Sequence, residues 1–91
     1  METIWKYEIP VLHTFALRIP QYARFLNVQM QDNKPVMWFL VDTDEANDVL
    51  YHRNFMLMGT GEAFPANYLQ TAYLGTFLIG TFVGHLFEGW E

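Results

Sequence analysis

The sequence predicts an all-β domain with at most one short helix, because its apolar residues recur mainly at every second position. About seven mostly antiparallel strands are expected, in a small sandwich or an open barrel. Two further observations favour this fold. Turn-forming Pro, Gly, Asn and Asp residues separate the alternating segments, and no long segment shows a clear helical period.

The first half of the chain contains four of the predicted strands. They are expected at Trp5–Ile9, His13–Ile19, Leu26–Gln31 and Val36–Val41. Pro10 and Pro20 end the first two, and Asp32 to Pro35 is expected to form the hairpin turn between the other two. The fourth segment is apolar throughout, which is typical of a central strand covered on both faces. Residues Gln21 to Leu26 could hold one helical turn.

The second half supplies the other predicted strands. An acidic loop at Asp42 to Asp48 precedes a long segment at Val49–Met58, which Gly59-Thr60-Gly61 ends. After an irregular connection, two strands are expected at Ala72–Ile79 and Thr81–Glu88. The chain shows no internal repeat or linker, so residues 1–91 are expected to form a single domain.

The composition indicates that burial of apolar side chains stabilises this domain. Hydrophobic residues make up 52% of the 91 positions, and the absence of cysteine excludes disulfides and thiolate–metal clusters. The predicted core side chains come from both halves of the chain. They are Phe15, Leu17, Val28, Trp38, Leu40, Phe55, Phe77 and Phe82.

The aromatic content favours self-association, with a homodimer as the expected form. Three Trp, five Tyr and eight Phe residues exceed what the interior of so small a domain can bury. The last strand, Thr81 to Glu88, carries no Lys or Pro, so as a sheet edge it would need cover. A two-fold-related copy would supply that cover.

The charge pattern limits the classes of partner. Lys and Arg number 5 against 10 Asp and Glu, and the five basic residues are scattered, so direct binding to a nucleic-acid backbone is not expected. The N-terminal segment lacks the features of a secretory signal. The apolar stretch from Ala63 to Phe87 is interrupted by Pro65, Asn67 and Gln70, so no membrane association is expected.

The sequence gives little support for catalysis or for metal binding. Counted from Asp42, an EF-hand loop would need Gly in place of Asn47 and Glu in place of Arg53. His13, His52 and His85 have no metal-type spacing, and the chain contains neither Cys nor Ser as a nucleophile. We therefore expect no metal, no cofactor and no enzymatic activity.

Two features indicate binding instead. Gln29 and Gln31 project from one face of a strand near aromatic residues, where amides could recognise a base or a peptide, although a solvated strand face has the same pattern. Gly59, Thr60 and Gly61 could offer backbone N–H groups to an anion, or simply end a strand. These five residues are the predicted ligand- or partner-binding residues, placed in a groove between two subunits.

Six short motifs run through nearly the whole chain. They are Ile4-Trp5-Lys6-Tyr7, Val28-Gln29-Met30-Gln31, Trp38 with Leu40-Val41-Asp42, Gly59-Thr60-Gly61, Tyr73-Leu74-Gly75-Thr76 and His85-Leu86-Phe87-Glu88. In their order and spacing the chain resembles a family of small proteins of tailed bacteriophages and prophages, known only as a domain of unknown function. Gly84 departs from the bulky residue typical of that family. The resemblance implies a phage context and transfers no catalytic residue.

Together these observations predict a non-enzymatic phage accessory protein that acts by binding in the host bacterial cytoplasm. Its expected role is host takeover or counter-defence, either by binding a bacterial protein or by sequestering a nucleotide immune signal. The alternative is a small structural or assembly protein of the phage particle.

Overall fold

The computed structural model describes residues 1–44, 50–65 and 71–89, so most of the acidic loop at 42–48 lies outside the described residues. The described residues form seven strands in two antiparallel sheets, which confirms the predicted all-β class. The strands are β1 (Glu2–Glu8), β2 (Thr14–Pro20), β3 (Arg24–Gln31), β4 (Lys34–Asp42), β5 (Leu50–Gly59), β6 (Ala72–Ile79) and β7 (Phe82–Glu88).

The two sheets have the strand orders β1-β4-β3 and β2-β5-β7-β6, and neither closes into a barrel. The turn between β3 and β4 has positive φ at both Asp32 (51°) and Asn33 (64°), as a type I′ hairpin turn requires. The turn between β6 and β7 starts at Gly80, whose φ is 59°. No described segment is a helix long and apolar enough to span a membrane.

The helical turn expected within residues 21–26 does not form. The Ala23 N–H donates to the Pro20 carbonyl oxygen at 3.0 Å, which closes a tight turn, and β3 has begun by Arg24. A β-bulge between Phe25 and Asn27 then moves Leu26 out of the strand's alternation and leaves its side chain 43% exposed.

The expectation that the last strand is a sheet edge is wrong. Strand β7 pairs with β6 along its whole length and with β5 from Gly84 to Glu88, so most of it lies inside the four-stranded sheet. Its lack of Lys and Pro follows from this position, because an internal strand needs neither. The edges of this sheet are β2 and β6 instead.

The core lies between the two sheets, and four of the predicted core residues are buried there: Phe15, Val28, Phe55 and Phe77. The rings of Phe15 and Phe55 stack with their centroids 5.2 Å apart. Leu17 is partly buried and packs against the same cluster. The core therefore joins the four-stranded sheet to β3 and β4 of the other sheet.

Three other predicted core residues are not buried: Trp38 and Leu40 are half-buried, and Phe82 is 38% exposed. Strand β4 is the middle strand of its sheet, but the second sheet covers only one of its faces. Its inward residues Met37 and Phe39 are completely buried, whereas Trp38 alternates to the outer face. Phe82 follows the tight β6–β7 turn, at the end of the sandwich.

An ion pair lies at the margin of the core. Arg53 donates from Nε and Nη2 to the two carboxylate oxygens of Glu88, at 2.5 and 2.9 Å, and from Nη1 to the Ala23 carbonyl oxygen at 2.7 Å. Its guanidinium carbon lies 5.0 Å from the ring centroid of Phe39. Burial raises the pKa of the neighbouring Tyr7 hydroxyl, and the Arg53 charge opposes that rise.

Candidate functional site

The outer face of the four-stranded sheet carries a hollow of about 290 Å³ beside the turn that follows β5. We call it the aromatic hollow. Its lining comes from the end of β5, from the segment after it and from β6 and β7. The residues are Met58, Gly59, Thr60, Gly61, Glu62, Phe64, Tyr73, His85 and Phe87.

Three aromatic rings form one side of the aromatic hollow. Phe87 is central: its ring meets that of Phe64 edge-on at a centroid distance of 4.9 Å, and that of Tyr73 at 5.4 Å with a tilt of 59°. Phe64 is 44% exposed and Tyr73 is 59% exposed. Rings clustered in this way at a surface offer both π faces and edges to a ligand or partner.

A chain of hydrogen bonds crosses the floor of the hollow through His85. Its Nε2 lies 2.8 Å from the Thr60 hydroxyl, and its Nδ1 lies 2.9 Å from the Thr76 hydroxyl. The Thr76 hydroxyl is in turn bonded to the Tyr73 hydroxyl at 2.5 Å. His85 thus connects the turn after β5 to β6, and through Thr76 it is linked to the Tyr73 hydroxyl.

The glycine turn is closed by a carboxylate of the chain itself. Glu62 accepts a hydrogen bond from the Gly59 N–H through Oε1, and the Glu62 N–H donates to the Gly59 carbonyl oxygen at 3.2 Å. The backbone donor of Gly59, which an anionic ligand could have used, is therefore occupied. Among the described residues that line the aromatic hollow, Glu62 is the one Asp or Glu, and none is a Lys or Arg.

Glu62 also borders a second hollow of about 250 Å³ at the end of the sandwich. Its other lining residues are Val11, Leu12, His13, Leu57 and Phe82. His13 donates from Nδ1 to the Leu57 carbonyl oxygen at 3.1 Å, so this ring is engaged in holding the β1–β2 connection against β5. This hollow has fewer aromatic rings, and its histidine is already committed to the backbone.

Gln29 and Gln31 lie on the outer face of the three-stranded sheet, away from the aromatic hollow. Gln31 accepts a hydrogen bond from Lys6 Nζ at 2.6 Å, and Lys6 Nζ lies 6.0 Å from the ring centroid of Trp38. The sequence-predicted residues thus form two separate groups in one protomer: the amides on one outer face, and Gly59, Thr60 and Gly61 at the other.

Sequence reasoning missed six residues of the aromatic hollow: Met58, Glu62, Phe64, Tyr73, His85 and Phe87. The alternation of β7 does place His85 and Phe87 on one face, and the register of the β6–β7 hairpin sets Thr76 opposite His85. The approach of the segment after β5 to this face depends on long-range packing, which no local pattern encodes.

In the part of the chain that the structure describes, no group of three or more His, Asp or Glu side chains is arranged to hold a metal ion. Fold and site together define a small two-sheet β-sandwich with an aromatic surface hollow. The chain belongs to the family described as "Domain of unknown function (DUF7352)", whose model matches residues 1–91. No curated protein and no solved structure matches the chain.

Proposed function

We propose that the chain is a non-catalytic phage accessory protein that binds a bacterial host protein in the host cytoplasm, as in host takeover or counter-defence. The phage context rests on the six sequence motifs. The observation that carries the binding role is the aromatic hollow, where three rings surround a surface whose described lining residues include one carboxylate and no Lys or Arg.

The chemistry of the hollow favours a positively charged side chain as its occupant. The face of an aromatic ring attracts a cation, by about 0.5–1 kcal/mol at an exposed site. Glu62 has accepted the Gly59 N–H through Oε1, which leaves its second carboxylate oxygen for a ligand. The formal net charge of −5 would also attract a basic partner at long range. We therefore expect the host protein to insert a Lys or Arg.

The same features disfavour sequestration of a nucleotide signal at this site. Phosphate groups are bound by N–H donors or cationic side chains. Here the Gly59 N–H is already bonded, and the Glu62 carboxylate would repel an anion. Rings can stack on a base, but a nucleotide would bring its phosphates beside a negative charge. Of the two expected targets, the host protein is the one that this site supports.

Capture from a bacterial lysate, followed by titration with the purified partner, tests the proposal. The informative variants are Glu62→Gln, which keeps an acceptor for Gly59 but removes the charge, and Tyr73→Ala, which removes an exposed ring. Each should weaken binding about two- to fivefold in calorimetry. Tyr51→Ala is the matched control, since Tyr51 is also on a strand, is 49% exposed and lies outside the hollow.

Three outcomes would contradict the proposal. Partner affinity that is unchanged in both Glu62→Gln and Tyr73→Ala would place the interface elsewhere. Nucleotides that co-purify with the wild-type chain and depend on the hollow would reverse the choice of target. Stoichiometric amounts of the chain in purified phage particles, found by mass spectrometry, would favour the structural or assembly role instead.

A further inference from the structure

The two sheets expose four edge strands, and three of these carry residues that discourage pairing with another chain. Strand β1 has charged residues at both ends and in the middle: Glu2, Lys6 and Glu8. Strand β2 carries Arg18 and ends at Pro20. Strand β3 begins with the charged residue Arg24 and has a bulge between Phe25 and Asn27.

Strand β6 is the exception among these edges. Its sequence, Ala72–Ile79, contains no charged residue and no proline. A register shift lies near its start, between Tyr73 and Gly75, so the stretch from Gly75 to Ile79 runs as regular strand. Leu78 points to the outer face and is 61% exposed, so an apolar side chain lies accessible beside this edge.

The hydrogen-bond pattern of the β6–β7 hairpin sets which backbone groups face the open edge. Ile79 and Phe82 flank the two-residue turn as a bonded pair. Because bonding alternates along an antiparallel strand, the N–H and C=O groups of Leu78 and Thr76 point away from β7. They form a short, uncharged and regular set of donors and acceptors.

We propose that two copies of this chain pair through antiparallel β6 strands about a two-fold axis, which joins their four-stranded sheets into one continuous sheet. The charge pattern favours self-pairing of two β6 strands over self-pairing of another edge strand. Two β6 strands bring no like charges together, although each chain carries a formal net charge of −5. Two β1 strands centred on Trp5 would set Glu2 of one copy against Glu8 of the other.

Such pairing has a consequence for the aromatic hollow. A two-fold axis that relates antiparallel neighbours runs perpendicular to their sheet, so the outer faces of both copies lie on the same side. Thr76 and Tyr73 belong to β6 and so lie beside the interface. The dimer therefore presents two hollows in one direction, which suits a partner with two binding points.

Light scattering on the wild type and on two matched leucine-to-lysine variants tests this interface. Leu78→Lys puts a charge at the centre of the proposed contact, whereas Leu26→Lys makes the same change at an exposed leucine of the bulged edge strand β3. Wild type and Leu26→Lys should have twice the chain mass of 10.7 kDa, and Leu78→Lys should have the single mass.

Amide hydrogen exchange adds an independent readout at the same residues. The Thr76 and Leu78 amides should be protected in the wild type and should exchange rapidly in Leu78→Lys, while the amides of β7 stay protected in both. A wild type of 10.7 kDa at all concentrations up to the millimolar range would overturn the proposal. So would a Leu78→Lys protein that remains dimeric, or a Leu26→Lys protein that dissociates.

Discussion

At the scale of single residues, the two faces of a strand decide what a side chain contributes to stability. Phe55 is completely buried, and its ring stacks on that of Phe15. Trp38 is larger but half-buried, on a face that the other sheet does not cover. Its ring has Lys6 as a neighbour at 6.0 Å. The stability lost when each residue is truncated should therefore follow its burial rather than its size.

We expect Phe55→Ala to lower the free energy of unfolding by about 3–5 kcal/mol, because it leaves a cavity between the sheets. Trp38→Ala should lower it by only about 1–2 kcal/mol, because water can fill the space on the outer face. Urea denaturation followed by circular dichroism measures both. Equal losses, or a larger loss for Trp38→Ala, would show that the outer face of β4 is covered in solution.

The same comparison shows how far sequence patterns predict individual residues. Alternation correctly set Phe15, Val28, Phe55 and Phe77 into the core. It could not show that the second sheet covers only one face of the apolar run of β4, because Trp38 and the buried Phe39 have the same hydrophobic character. A local pattern reports which residues share a face, and the packing of the second sheet decides whether that face is buried.

At the scale of elements, the two sheets pack tightly against each other where β6 lacks a side chain. Gly75 faces Val28 of β3, and a Cβ at position 75 would overlap a methyl group of that valine. The register shift before Gly75 places it opposite Leu86, on the inner face of its sheet. A glycine is needed at this position because the Val28 side chain leaves no room for a Cβ.

Gly75→Ala should therefore destabilise the domain by about 1–3 kcal/mol through overpacking between the sheets. Val28→Ala also destabilises it, by leaving a cavity, but it removes the methyl group that the new Cβ would strike. The double variant should be more stable than the sum of the two single effects predicts. A thermodynamic cycle from urea denaturation measures the difference, and additivity within about 0.5 kcal/mol would exclude the contact.

Strand positions were predictable from sequence, whereas strand partners were not. Ala72–Ile79 was predicted with its observed limits, and the expected start of the last strand was one residue early. The insertion of β7 between β5 and β6 depends on contacts far apart in sequence, and so does the aromatic hollow. Its residues Thr60 and Phe64 meet Tyr73 and His85 only after the sheet has formed.

At the scale of the whole molecule, the path of the chain ties the two sheets together. The chain passes from one sheet to the other after β1, after β2 and after β4. Strand β1 pairs with β4 only across the intervening β2 and β3, and β2 pairs with β5 in the same long-range way. Neither sheet can therefore be assembled from one continuous piece of the chain.

We therefore expect the domain to unfold in a single cooperative transition. Trp5 and Trp38 both belong to the three-stranded sheet, so in a Trp90→Phe background their fluorescence reports on that sheet alone. Far-ultraviolet circular dichroism reports on the strands of both sheets. The two signals should give the same urea midpoint at one protein concentration, since subunit association would shift both together. A fluorescence transition at lower urea than the dichroism transition would mean that the three-stranded sheet unfolds first. In that case packing between the sheets, rather than the path of the chain, would limit the cooperativity of unfolding.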